Sequence, residues 1–256
     1  MMDDTNRRLM RELRSRLGNL QMELQCCTPL FMEKGTARQR EYLAMLNQNL
    51  YAMLRTVSHL ELTGGDSFSF RPVTLDLAGF CRKLGRELDG LAELAEVRFT
   101  CETDEASLLA EADEELLEQG LLNLISNAME AARRGGGHVR LLLRRSGGSA
   151  VFTVEDDGPG FPEKTPDPES LKPHPGGVGL GLKVAQEAAA RHGGTLLRLN
   201  RPRGVQISLI LPVHRPGETI LRSSCMGYES SGGFSPLLVE LSTVLPHSAF
   251  LPDNLD

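Results

Sequence analysis

Three short runs in this chain carry residues of types and spacings suited to chemistry. In the first, Gln119, Asn123, Asn127, Glu130 and Arg134 recur at steps of three and four. At about 100° per residue they fall on one stripe of a helix. Leu117, Leu121, Leu124, Ile125, Ala128 and Ala132 occupy a separate face. A solvated stripe is normally Lys and Glu; this one is rich in amides, and amide oxygens suit a hard cation such as Mg²⁺. Taken alone, it is also what a plain amphipathic helix shows. The second run is Val154-Glu155-Asp156-Asp157-Gly158-Pro159-Gly160. Glycines let backbone approach a flat ligand closely, and a carboxylate at a strand end accepts a hydrogen bond from an exocyclic amine such as that of adenine. An ordinary acidic turn has the same composition. The third run is Gly177-Val178-Gly179-Leu180-Gly181-Leu182 before a helix. Free backbone N–H groups at a helix start bind phosphate. The dinucleotide fingerprint needs a glycine where Leu182 stands, and no GxxxxGK[ST] loop occurs.

Order and context make the three runs specific. NLISNAMEAA, then VEDDGPGF, then GGVGLGLKVAQEAAARHGG resembles the ATP-binding domain shared by sensor histidine kinases, gyrase, heat-shock chaperones and mismatch-repair ATPases, in its histidine-kinase branch. The resemblance covers residues 72–214, and implies an α/β two-layer sandwich of Bergerat type. It implies ATP and Mg²⁺ as cofactors, with Asn127 on the metal and Asn123 beside it. It implies that Asp156 binds adenine, that Gly158 and Gly160 lie beside the base, and that Gly177, Gly179 and Gly181 hold the phosphates. Lys183 is either a phosphate contact or a surface lysine. The hydrolytic relatives carry a glutamate general base at the first amide position. Asn123 takes no proton from water, which favours phosphoryl transfer or nucleotide binding over hydrolysis.

The first helix departs from the family. Where a sensor histidine kinase carries its phospho-accepting histidine and a proline, Arg11-Glu12-Leu13-Arg14-Ser15-Arg16-Leu17 places Arg11 and Arg16. Arginine stays protonated and is no nucleophile. Glu12 and Ser15 stand at positions resembling the family's phosphatase motif, and His59 in Ser58-His59-Leu60-Glu61-Leu62 is a candidate substitute acceptor, although it lies at the end of the second helix. The lid, Phe161 to Gly176, is short and Pro-rich, lacks the family's phenylalanines and contains His174. Two functions follow: a histidine kinase relative transferring phosphate in trans, or a kinase-like module, regulated by nucleotide, that docks a response regulator or acts as a phosphatase.

These residues need elements to hold them. Leu9, Leu13, Leu17, Leu20 and Leu24, and later Leu43, Leu46, Leu50, Met53, Val57 and Leu60, form two seams of about three heptads. Thr28-Pro29 and Gly35 mark the connection. Residues 1–65 therefore read as a helical hairpin, and two such hairpins from a homodimer close a four-helix bundle; a hairpin packed within one chain on the second domain is the alternative. Gly64 to Ser67 begins a linker. Residues 72–214 read as strand Val73–Leu75, helix Asp76–Leu94 with Asp76 as N-cap, strand Val97–Glu102, and helix Glu111–Arg134 stopped by Gly135 to Gly137. Strands Val139–Arg145 and Ala150–Val154 follow around a Gly147-Gly148 turn, then helix Leu180–His192, with His192 as a cap, and strands Thr195–Leu199 and Val205–Leu211. In the tail, residues 215–256, SPLLVELSTVL reads as a short helix. It either docks on the ATP domain, the favoured reading, or binds a partner.

Composition narrows the class. The net charge of −6 argues against a nucleic-acid or anionic-membrane binder. No run reaches the roughly 18–20 apolar residues of a membrane span, and the N-terminus lacks a signal-type apolar run, so a cytoplasmic location is expected. Cys26, Cys27, Cys81, Cys101 and Cys225 form no C-x-x-C pair and read as reduced thiols rather than zinc ligands.

Overall fold

The computed structural model describes residues 4–64, 69–133, 137–160, 180–213 and 234–255. The chain divides into two compact units, Met1–Phe68 with Tyr228–Asp256, and Ser69–Gly227. Gly65, Asp66, Ser67, Arg134, the lid segment 161–176 with His174, Gly177, Gly179 and Cys225 lie outside the described residues.

The first unit is built on α1 (Asp4–Lys34) and α2 (Ala37–Thr63). Thr36 starts α2 with a capping box: Gln39 N–H donates to the Thr36 hydroxyl, and Thr36 N–H donates to Gln39 Oε1 at 2.8 Å. Pro29 does not end α1, contrary to the sequence reading; it sits inside the helix. Proline removes one hydrogen bond from the ladder, and nearby the Thr28 hydroxyl donates to Leu24 O at 2.9 Å. Leu17, Leu43, Leu50, Leu54 and Val57 are buried. Arg14 ties the helices together through Ser58 and Glu61. The other half of each seam is bare: Leu9, Leu13 and Leu20 on α1, and Leu46 and Met53 on α2, are exposed.

The tail corrects the sequence reading. Its helix, α6 (Pro236–Leu241), and two 3-10 turns, His247–Phe250 and Pro252–Asn254, belong to the first unit, where α6 and the first turn pack on α2 rather than on the ATP-binding domain. Phe234 and Phe250 flank Tyr51 with ring centroids at 5.3 and 5.4 Å, and burial pushes the Tyr51 phenol up to about 12. Asn47 donates to Phe250 O, and Gln48 to Ser242 O and Leu245 O. Glu240 Oε2 meets Arg55 Nε at 3.1 Å and His59 Nε2 at 2.8 Å, all three residues being buried.

The second unit is a two-layer α/β domain. Its five-stranded sheet runs β2 (Arg98–Thr103), β4 (His138–Ser146), β5 (Ser149–Asp156), β7 (Val205–Pro212), β6 (Thr195–Asn200). Only the β2–β4 pair is parallel. Alternation buries Val139, Leu141, Leu143, Phe152, Val154, Ile207 and Leu209, against which α3 (Leu77–Leu94), α4 (Glu114–Arg133) and α5 (Gly181–Arg191) pack. Asp76 caps α3 through Ala78 N and also accepts from Leu108 N. A two-stranded sheet pairs β1 (Val73–Asp76) with β3 (Leu109–Ala112). Residues 111 and 112 thus lie in a strand, where the sequence reading has the start of α4.

Candidate nucleotide-binding site

The site is assembled on α4. Its buried face carries Leu117, Leu121, Leu124, Ile125 and Ala128, which seats the helix and leaves the amide stripe turned toward α5. Asn123 is fully buried, and its Nδ2 donates to Gln119 O at 2.8 Å. Asn127, one turn later, is exposed. Both amides converge on Gly181, the first residue of α5. A Cβ at position 181 would lie 2.9 Å from Asn123 Oδ1 and 3.3 Å from Asn127 Nδ2, so only glycine lets the two helices close there. Leu180 at the N-cap makes no side-chain capping hydrogen bond. The first N–H groups of α5 therefore lie beside two amides without a cap from Leu180, an arrangement suited to an anion.

The second wall is the end of β5. Asp156 falls on the buried side of the alternation, and its Oδ1 accepts from Gly158 N at 2.9 Å. Burial raises the Asp156 carboxyl above its ordinary value, against the lowering effect of the Gly158 and Val205 N–H groups. Gly158 backs directly onto α4: a Cβ there would lie 2.8 Å from Ala131 backbone. The strand-end carboxylate is thus pinned to the helix that carries Asn123 and Asn127. Asp157 is structural, its Oδ1 accepting from His138 N and its carbonyl from Arg203 Nε. Gly160 follows with φ +80, and Lys183 is exposed on α5.

Sequence reasoning missed the bracing of this loop. Arg203, from the β6–β7 connection, holds Asp157, and Arg201 pairs with Glu155 at 3.1 Å. Charged residues in a turn give no local sign of such a role. His192, read as a cap, is the C-cap of α5 and is buried. Its Nε2 accepts from Asp113 N, so its Nδ1 carries the proton donated to Ala188 O. Phe70 packs edge-on against the ring.

The candidate residues of the first unit are placed differently. Arg11 is exposed and lines an open cleft of about 450 Å³ with Arg8 and Glu12. Glu12 is bound to Arg16 at 2.8 Å, and Ser15 is exposed. His59 is 5% exposed, with Nε2 on Glu240. An acceptor histidine must present a ring nitrogen to phosphate, so this burial argues against the role.

Comparison with known proteins places the domain. Residues 112–215 match the family of histidine kinase-, DNA gyrase B- and HSP90-like ATPases. The sensory histidine kinase/phosphatase NtrB of Salmonella typhimurium is 32% identical over 116 residues, 40% of this chain and 33% of that protein. The sensor histidine kinase TmoS of Ectopseudomonas mendocina is 28% identical over 214 residues, 76% of this chain and 22% of that protein. The crystal structure of full-length ShkA in complex with AMPPNP shares the fold, with a TM-score of 0.64 at 23% identity over 83% of this chain and 46% of that one. Residues 112–215 therefore carry a domain of the histidine-kinase-like ATPase type. The matches span about a third or less of the length of these curated relatives. Among the described residues no helix is long and apolar enough to cross a membrane.

Proposed function

We propose that this chain binds Mg-ATP on α4, α5 and the β5 end, and passes the γ-phosphoryl group to a histidine on another chain within a cytoplasmic two-component system. The observation that carries the reading is the convergence of Asn123, Asn127 and the α5 N-terminus, with Asp156 and Gly158 pinned to the same helix. Asp156 accepts the adenine amine, and Gly158 and Gly160 lie beside the base. The α5 N–H groups, with Gly177, Gly179 and Gly181 and with Lys183 at the edge, take the phosphates. The donor chemistry suits Mg²⁺: Asn127 is exposed and carries an amide oxygen, Asn123 stands one turn before it, and oxygen is what that ion takes. Bound there, Mg²⁺ supplies positive charge against the phosphate oxygens. Asn123 cannot serve as a base toward water, so bound ATP is held for transfer rather than hydrolysed.

The hairpin dimerises in this reading. Leu9, Leu13, Leu20, Leu46 and Met53 are apolar, at heptad spacing and exposed in one chain, and a second hairpin buries them in a four-helix bundle. A response regulator is the expected further partner. Arg11 in the acceptor slot, together with buried His59, favours one second reading: a nucleotide-regulated module that docks a response regulator, or a phosphatase using Glu12 and Ser15, without transferring phosphate. Incubation with γ-labelled ATP, alone and with candidate response regulators and histidine-bearing hairpin proteins, separates the two. Transfer in trans labels the added histidine protein and leaves this chain unlabelled. ATP binding with no labelled species supports the regulatory module. Acid-labile phosphate on the wild-type chain at His59 contradicts both.

A further inference from the structure

Two cysteines that the nucleotide site does not use lie side by side in the second unit. Cys81 is on α3 and Cys101 on β2, the edge strand of the sheet. Their sulfurs are 3.5 Å apart, and Cys101 Sγ is also 3.3 Å from Cys81 O. The approach depends on Gly85, one turn after Cys81 on the same helix. A Cβ at position 85 would lie 2.6 Å from Cys101 Cβ and 2.7 Å from its Sγ, so the Cys101 side chain fills the notch that glycine leaves. Cys81 is fully buried, whereas Cys101 is partly exposed. The pair is therefore asymmetric: Cys101 is partly open to solvent and Cys81 is not.

We infer that Cys81 and Cys101 form a reversible two-electron redox site, closed to a disulfide between α3 and β2 by peroxides or small-molecule disulfides. Cys101 is the attacking sulfur. Its thiolate displaces hydroxide from a peroxide to give a sulfenic acid. The Cys81 sulfur attacks that sulfenic sulfur, its thiol proton leaves with the departing oxygen as water, and the S–S bond forms. Two thiols lose two electrons in total, and the peroxide becomes two waters. With a small disulfide as oxidant, a mixed disulfide at Cys101 takes the place of the sulfenic acid and two small thiols leave. A dithiol reductant reverses the change. The hydrogen bond to Cys101, with burial, holds the Cys81 thiol above its ordinary value, and the same bond lowers Cys101, which agrees with these roles. Closure needs the sulfurs to approach from 3.5 Å to the roughly 2.05 Å of a disulfide, a shift that side-chain rotation and a small movement of an edge strand provide.

The test uses the full chain with Cys26, Cys27 and Cys225 replaced by serine, leaving only the pair. It is treated with stoichiometric hydrogen peroxide or with oxidised glutathione, then alkylated after unfolding. The expected product is lighter by two hydrogens, yields a Cys81–Cys101 linked peptide, resists alkylation at both sites and is restored by dithiothreitol. Because the bond closes a loop spanning 20 residues, the oxidised form should melt higher by roughly 5–10 °C. Gly85→Ala, which forces β2 off α3 while keeping both thiols, should slow closure at least tenfold. Recovery of both cysteines as alkylated residues after oxidation overturns the proposal. So does a product in which Cys101 carries glutathione or a higher oxide while Cys81 remains a free thiol.

Discussion

Glu118 allows a quantitative test of the packing in the second unit. It lies on α4 within range of Lys83 and Glu87 on α3 and of Glu114 and Glu115 on its own helix. Burial pushes its carboxyl from 4.5 up to about 7; Lys83 pulls it down, and the three glutamates push it further up. A carboxyl that folding raises works against the folded state once it ionises. Below about pH 4.5 both states hold the proton and the group is neutral to stability. Between about 4.5 and 7 the folded chain holds a proton that the unfolded chain has lost, so stability falls as pH rises. Above about 7 both are ionised and the whole penalty is present. At about 1.4 kcal/mol per pH unit, that penalty is on the order of 3 kcal/mol. Glu118→Gln keeps the shape and removes the ionisation. Its advantage over the wild type should be about 1 kcal/mol or less at pH 5 and on the order of 3 kcal/mol at pH 8, roughly 6–12 °C in melting temperature. Thermal or urea unfolding of both proteins across pH 5–8 measures it. Parallel profiles, or a variant less stable than the wild type at pH 8, would refute the placement of Glu118.

Three further outcomes follow. Glu240→Ala removes the buried carboxylate that Arg55 and His59 share; it should cost about 3–5 kcal/mol in urea unfolding, and a cost under about 1 kcal/mol would show that the tail is not seated there. Light scattering at micromolar concentration should give a dimer mass for the whole chain and a monomer for Leu13→Lys/Met53→Lys, whereas a monomeric wild type removes the bundle. Gly181→Ala puts a methyl 2.9 Å from Asn123 Oδ1 and should weaken ATP binding at least tenfold by calorimetry; unchanged binding would mean that α5 does not close on the amides around the nucleotide.

How much of this was legible in the sequence depends on whether its cause is local. The α4 stripe, the Asp76 cap and the β4–β5 hairpin follow from periodicity and neighbouring residues, and each is present. The strand Leu109–Ala112 was not legible, because Leu-Ala-Glu-Ala has little intrinsic strand preference and is held by pairing with Val73–Asp76. Thr28-Pro29 reads as a break, yet a long helix packed on its partner tolerates one missing hydrogen bond. The tail was misassigned because its anchor pairs Glu240 with Arg55 and His59, 185 and 181 residues away, a match no local pattern reveals. That same contact argues against His59 as an acceptor. In the site, glycine spacing identified Gly181 and Gly158, but their necessity lies in the close approach of Asn123, Asn127 and Ala131, which is a tertiary fact.

The central claim is that Asp156 and the Asn127 side of α4 hold the two ends of Mg-ATP. Titration calorimetry of ATP into the wild type, Asp156→Ala and Asn127→Ala, each with and without Mg²⁺, tests it most directly. Removing a hydrogen bond to a charged group costs about 1.5–3 kcal/mol, so Asp156→Ala should lose roughly 10- to 100-fold in affinity whether or not Mg²⁺ is present. Asn127→Ala should lose affinity only when Mg²⁺ is there. No binding by the wild type in Mg²⁺, or binding that Asp156→Ala leaves unchanged, would contradict the account.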